Sequence, residues 1–242
     1  VERPPLCEDC GYNLTATDPG GRCPECGTPV VASLAEGVRP GTAWERRRGA
    51  RGRFLESGLA AVMRPADFGR SIRVASDGRA AQGFAGRFLP IIFVAGTGSL
   101  LAMIASVESP GSMWRHLPEI LPITMIFGLA CTIGAILVSV GTALIVGMYE
   151  GRRVGRNLLS AAQQAACYLF GFLIAWELFG AAVGYTAIWM ADAGYFKILE
   201  SWTGFYRDRI AVGFFFAPNI ACYLVYVARL TQMTRACRYA NK

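Results

Sequence analysis

Apolar residues in this chain gather into four long runs. Phe88–Val107 is twenty residues without a charge, Ile120–Tyr149 is thirty, and Ile210–Ala228 is nineteen. The fourth run, Ala165–Ala191, is interrupted only by Glu177. A helix rises about 1.5 Å per residue and a hydrocarbon core is about 30 Å thick, so each run is long enough to cross a bilayer. Four such runs within residues 88–230 are more than one soluble core of this size can bury. The pattern predicts an all-α integral membrane bundle of about four transmembrane helices.

Polar segments divide the rest. Residues 1–35 are predicted to form a small head and residues 36–87 a basic connector. The four-span bundle occupies 88–230, and 231–242 form a basic tail. Within the connector, Phe54, Leu55, Leu59, Val62 and Met63 recur at helical spacing, with Arg53, Glu56, Ser57 and Arg64 elsewhere around the helix. That predicts an amphipathic helix along the inner leaflet, its arginines near anionic headgroups. Pro65 should end or kink it. Trp44 is expected at the membrane interface, and residues 195–206 are expected to form a short interfacial helix on the far side.

Charge sets the expected orientation. Residues 36–87 hold eleven Arg against five acids. Glu150, Arg152, Arg153 and Arg156 follow the second run, and Arg235, Arg238 and Lys242 close the chain. The links at Glu108–Glu119 and Asp192–Arg209 carry less net positive charge. The positive-inside rule then places both termini in the cytoplasm of a multi-pass inner-membrane protein. The first forty residues contain no apolar stretch, so the head is expected to stay inside. With Arg3 and Arg22 against five acids, residues 1–35 form a poor surface for nucleic acid.

The head carries the clearest chemistry. Cys7, Cys10, Cys23 and Cys26 read as CEDCG and CPECG, with twelve residues between Cys10 and Cys23. Two Cys-x-x-Cys pairs at this spacing supply four thiolates to one tetrahedral metal. Zinc is the expected ion and iron the alternative, since sulfur donors alone do not separate them. A closed four-thiolate zinc site has no position for a reacting water, so it is structural. Gly11 and Gly27 follow the second cysteine of each pair, where the backbone turns at positive φ. Tyr12, Leu14, Val30 and Val31 are the expected apolar base. So small a domain draws much of its folding energy from its metal. Cys131, Cys167 and Cys222 fall within the runs and Cys237 follows the last one, a distribution that fits a reducing compartment.

Inside the runs, Glu177 is the single acid and Asn219 follows a mid-run Pro218. An intramembrane carboxylate is costly and marks a candidate polar site. Thr124, Thr132, Ser139, Thr142 and Asn219 are its candidate hydrogen-bond donors. A small transporter or channel built around Glu177 is thus one alternative, and iron electron transfer through the head is another. Gly147, Gly151 and Gly155 step by four, and Gly180 and Gly184 repeat that spacing, which suits close helix packing or self-association. His116, the lone histidine, is expected in a loop. HExxH, GxGxxG, P-loop and Gly-x-Ser-x-Gly patterns are missing from the sequence, which points away from an enzyme.

The segment CEDCGYNL…GRCPECG resembles the zinc-ribbon or rubredoxin-like double-knuckle modules attached to bacterial membrane proteins. The segment AVMRPADFGRSI, with Arg64, Pro65 and Phe68 ahead of the bundle, resembles the YIP1-type membrane family. The first resemblance implies Cys7, Cys10, Cys23 and Cys26 as metal ligands on a β-hairpin ribbon. The second implies a compact multi-span domain. The expectation is a non-enzymatic membrane scaffold or accessory subunit whose zinc head docks a cytoplasmic partner or stabilises a membrane complex, with lipids and other subunits, or further copies of itself, as partners.

Overall fold

The structure is a computed structural model and describes residues 4–34, 39–46, 51–74, 78–107, 110–155, 157–192 and 207–240. Those residues are all-α. The elements are α1 (Val31–Leu34), α2 (Ala43–Arg46), α3 (Arg51–Met63), α4 (Pro65–Ser71), α5 (Arg79–Gly86), α6 (Leu89–Val107), α7 (Pro110–Val154), α8 (Leu159–Asp192) and α9 (Arg207–Ala236). The four apolar runs coincide with α6 to α9. Among the described residues two stretches, Arg79–Leu101 and Arg115–Val154, rather than four, are long and apolar enough to cross a membrane. On α7, Ile126 is 67% exposed, Leu137 65% and Ile145 64%. A helix in a soluble core would bury such residues.

The link expected at Glu108–Glu119 is mostly helix, because α7 already begins at Pro110 and runs through Pro118 and Pro122. His116 therefore lies on a helix, its Nδ1 3.7 Å from Glu119 Oε2 one turn on. A polar stretch bearing two prolines reads as a loop. Here the turn is continuous with the long apolar run behind it. At 45 residues α7 is about 68 Å long, roughly twice the thickness of a hydrocarbon core.

The chain packs as two units. One holds Val1–Gly86, Ser139–Leu169 and Val227–Lys242; the other holds Arg87–Val138 and Phe170–Tyr226. In the second unit α6 and α7 meet at glycines. A Cβ on Gly96 would lie 3.1 Å from Gly128 Cα, and one on Gly128 would lie 2.7 Å from the Phe93 carbonyl oxygen. Small residues permit this approach.

The core of the first unit is aromatic. Trp44 stands edge-on to Phe54 at 6.0 Å and to Phe84 at 5.9 Å, and Phe84 lies 5.0 Å from Tyr168. Trp44 is buried, and its indole N–H donates to the Ala80 carbonyl at 2.8 Å. It is thus a core residue, not the interface anchor expected of it. Its helix starts with a capping box: the Thr42 N–H donates to Glu45 Oε2 at 2.8 Å, and the Glu45 N–H donates back to Thr42 Oγ1 at 3.1 Å. The Tyr168 hydroxyl closes the network on Glu45 Oε1 at 3.0 Å and Thr42 Oγ1 at 3.2 Å. The expected third span opens at Ala165, yet Ala165, Ala166, Tyr168 and Leu169 are buried, and Tyr168 bonds to the connector.

Pro65 separates α3 from α4 as expected. Arg64 breaks the helix at φ −133°, and Pro65 starts the next one, where its missing N–H costs nothing. On α3, Ser57 and Ala61 face inward, while Leu55, Leu59 and Met63 are 65%, 66% and 72% exposed. Between α7 and α8, Gly155 turns at φ +67°, and Asn157 Oδ1 accepts the Leu159 N–H at 3.0 Å. Gly147 makes the hairpin tight, since a Cβ there would lie 3.0 Å from Leu159 Cα and 3.1 Å from Ala162 Cβ.

Candidate metal centre

The head is two copies of one turn, offset by sixteen residues. In the first, the Cys7 N–H donates to the Tyr12 carbonyl at 2.9 Å, and the Gly11 N–H donates to the Cys7 carbonyl at 2.9 Å. In the second, Cys23 N–H reaches Thr28 O at 2.8 Å and Gly27 N–H reaches Cys23 O at 2.9 Å. Gly11 and Gly27 take φ of 82° and 75°, a conformation open to glycine and strained for residues with a Cβ. Beneath the turns, Leu14 and Val30 occupy equivalent positions and are buried with Cys7 and Cys23, with Leu34 packed on them. Of the expected apolar base, Tyr12 and Val31 are instead exposed, at 38% and 57%.

The two turns bring all four sulfurs together, within 4.8 Å of one another. Cys7 Sγ lies 3.5 Å from Cys26 Sγ, and Cys10 Sγ 3.6 Å from Cys23 Sγ. A tetrahedron built on ~2.3 Å metal–sulfur bonds has edges of about 3.8 Å. The cluster therefore fits one four-coordinate ion. Cys7 and Cys23 are buried, whereas Cys10 and Cys26 reach the surface.

A second layer of polar groups surrounds the sulfurs. Ser33 Oγ donates to Cys7 Sγ at 3.9 Å and accepts the Glu8 N–H at 3.1 Å. Thr28 Oγ1 lies 3.4 Å from Cys26 Sγ and donates to Asp9 Oδ2 at 2.6 Å. The side-chain and backbone hydrogen bonds of Thr28 draw the Cys26 thiol down to about 6. Loss of hydration, reinforced by the neighbouring thiols, pushes Cys10 up to about 12. Such outer contacts fix ligand orientation and tune the charge on sulfur.

The expected β-hairpin ribbon is not formed. Among the described residues there is no strand, and each turn is closed by one isolated antiparallel bridge, Leu6↔Asn13 and Arg22↔Pro29. Prolines limit the arms. Pro4 and Pro5 precede the first bridge and Pro29 forms the second, so backbone donors needed to lengthen a ladder are missing. Each pairing stops after one further backbone bond, Leu14 N–H to Pro5 O at 2.8 Å and Val30 N–H to Gly21 O at 3.0 Å.

The polar site expected around Glu177 is less defined. Glu177 lies in α8 and Asn219 in α9, but their side chains lie outside the described part of the structure, as do residues 195–206. Thr124 and Thr132, two of the expected donors to Glu177, give their hydroxyls to Leu121 O and Gly128 O of their own helix, each at 2.9 Å.

A polar site that sequence reasoning missed lies at the end of α7. Glu150 is fully buried, with Arg235 and Arg238 as its partners. A second is Arg39, buried between the head and the ends of two helices. Neither carries a sequence signal beyond its charge.

No family model, curated protein or solved structure matches this chain. The resemblances to zinc-ribbon modules and to the YIP1-type family are accordingly set aside, the first also on the missing strands.

Proposed function

We propose that this chain is a non-enzymatic integral membrane scaffold or accessory subunit with a cytoplasmic, structural zinc site. Helices α6 to α9 thread the bilayer four times, with both termini on the cytoplasmic side. The four thiolates of Cys7, Cys10, Cys23 and Cys26 hold the ion.

One observation carries this reading. The positive-inside rule assigns residues 36–87, the 150–156 link and the tail after 235 to the same side of the membrane. These are segments that the structure packs into one unit with the head. Charge bias and packing are independent, and the unit that holds the head also holds all three basic segments, the first of them up to Gly86. The apolar face of α3 supports the same placement. Leu55, Leu59 and Met63 stand bare at successive turns beside Arg53 and Arg64, as suits a helix resting on an anionic leaflet.

Labelling with a membrane-impermeant maleimide tests the topology. His116→Cys should react from the outer face of intact cells and Asn157→Cys only after permeabilisation. The reverse pattern overturns the orientation. A scaffold should also leave the native membrane with a stoichiometric protein partner. A lone chain that turns over a substrate contradicts the non-enzymatic reading. Exposure of Cys10 and Cys26 favours a second reading, iron electron transfer through the same sulfurs, which a coloured, reducible protein would support.

A further inference from the structure

Arg39 ties the metal head to the end of the last helix. The residue is 7% exposed, and its Nε donates to Glu8 Oε1 at 3.1 Å. Nη1 donates to the Gly69 carbonyl at 2.9 Å and the Ile72 carbonyl at 3.3 Å, where α4 ends, and Nη2 donates to the Ala236 carbonyl at 3.0 Å, where α9 ends. One cation thus satisfies carbonyls at two helix C-termini, the electronegative ends of both. Arg39 Nη1 also lies 3.9 Å from Cys237 Sγ, whose own thiol donates to the Gly69 carbonyl at 3.2 Å.

A second contact joins the same parts. Gly11 of the first knuckle lies flat against the Tyr239 ring, leaving no room for a Cβ. The head therefore meets the turn after α9 directly through Gly11, and Glu8 reaches the end of α9 by way of Arg39. Both belong to the Cys7–Cys10 turn, and both are placed by the geometry that gathers the sulfurs. Besides its polar contacts, the turn rests on a small apolar core of Cys7, Leu14, Cys23 and Val30. A segment with so small a core depends on its ion for order.

We propose that the metal site is a latch on the cytoplasmic end of α9. An ion in the four sulfurs fixes Glu8 and Gly11, and these lock Arg39, Cys237 and Tyr239 in place. Loss of the ion frees the turn, and the end of α9 opens. Zinc availability in the cytoplasm thereby sets whether the last helix is clamped. This deepens the scaffold reading and rests on its metal site.

Cys237 reports the latch. It is 2% exposed, and burial pushes its thiol up to about 11, so it should resist alkylation while clamped. The full chain in lipid nanodiscs, loaded with zinc and with its zinc content measured, is treated with N-ethylmaleimide before and after chelation. Modification is read at the Cys237 peptide by mass spectrometry. Labelling should rise about tenfold or more on chelation, as expected for loss of a charged hydrogen-bond anchor, and fall again on zinc return. Glu8→Ala should raise Cys237 labelling while zinc stays bound, because the ligands are intact. If zinc binds and Cys237 labels equally with and without it, the latch is overturned and the metal site stands. If the chain takes up no zinc, both fall.

Discussion

Glu150 Oε2 lies 2.7 Å from Arg238 Nη2, joining the C-terminal end of α7 to the turn after α9 across 88 residues of sequence. The carboxylate is fully buried, and Arg235 Nε donates to its other oxygen at 3.0 Å. Arg235 and Arg238 keep 46% and 28% of their side chains exposed, so on loss of the carboxylate solvent can take up much of their charge, and the cost is that of the charged hydrogen bonds. Glu150→Ala should destabilise the protein by about 1.5–3 kcal/mol. Arg238→Ala should cost less, because Arg235 remains. Denaturant titration in detergent, followed by tryptophan fluorescence, checks the order.

Two glycines on short connector helices should respond oppositely to alanine. A Cβ on Gly69 would lie 2.8 Å from the Met233 carbonyl oxygen and 2.9 Å from Ala236 Cβ, so Gly69→Ala must push α4 off α9. Such overpacking costs about 1–3 kcal/mol. Gly83 on α5 has nothing within 4 Å of an added Cβ. Gly83→Ala should therefore stabilise, by up to about 1 kcal/mol, through helix propensity. Paired thermal melts of the two variants distinguish a packing effect from a general intolerance to substitution.

Metal uptake should weaken on acidification, because thiolates bind and thiols do not. The Cys10 thiol holds its proton up to about 12 in the free site. Zinc must displace that proton at any ordinary pH. Cys26, drawn down to about 6, has already lost its proton near neutrality. Affinity should thus rise at least about tenfold per pH unit between pH 7 and 8, from the Cys10 proton alone. Cys26 adds to the slope only below about 6. Competition titration with a chromophoric chelator at several pH values gives the slope; a flat profile would contradict thiolate ligation.

The bare face of α3 should sense lipid charge. A solvatochromic probe on Leu59→Cys should shift to the blue in nanodiscs rich in anionic lipid, and less in zwitterionic ones. The same probe on Arg53→Cys, off the Leu55–Leu59–Met63 stripe, should shift less in both. Equal, water-like emission from both sites would mean that the stripe faces solvent.

The helices of the body were legible because long apolar runs favour helix, and α6 to α9 coincide with the four runs. Of these the structure gives two stretches, Arg79–Leu101 and Arg115–Val154, long and apolar enough to cross a membrane among the described residues. The sulfur cluster was legible because ligand spacing is local. Partners far apart in sequence were not. Glu150 read as one more charge in a basic link, since nothing in GMYEGRR announces Arg235 or Arg238. Trp44 read as an interface anchor because its amphipathic ring suits one, whereas Phe54, Phe84 and the Ala80 carbonyl, all distant in sequence, bury it. The ribbon expectation rested on the cysteine pattern, which specifies the turns but not the strands beyond them. Pro4, Pro5 and Pro29 were visible throughout, and they argue against a ladder once hydrogen-bond donors are counted.

The central claim is that four cysteine sulfurs hold one zinc ion, and metal analysis with an absorption spectrum tests it most directly. The full chain purified from native membrane should carry one zinc per chain, show no visible colour, and lose the metal in the Cys23→Ser variant. A chain without metal, one whose zinc survives Cys23→Ser, or one with a ferric thiolate colour that bleaches on reduction would contradict the account.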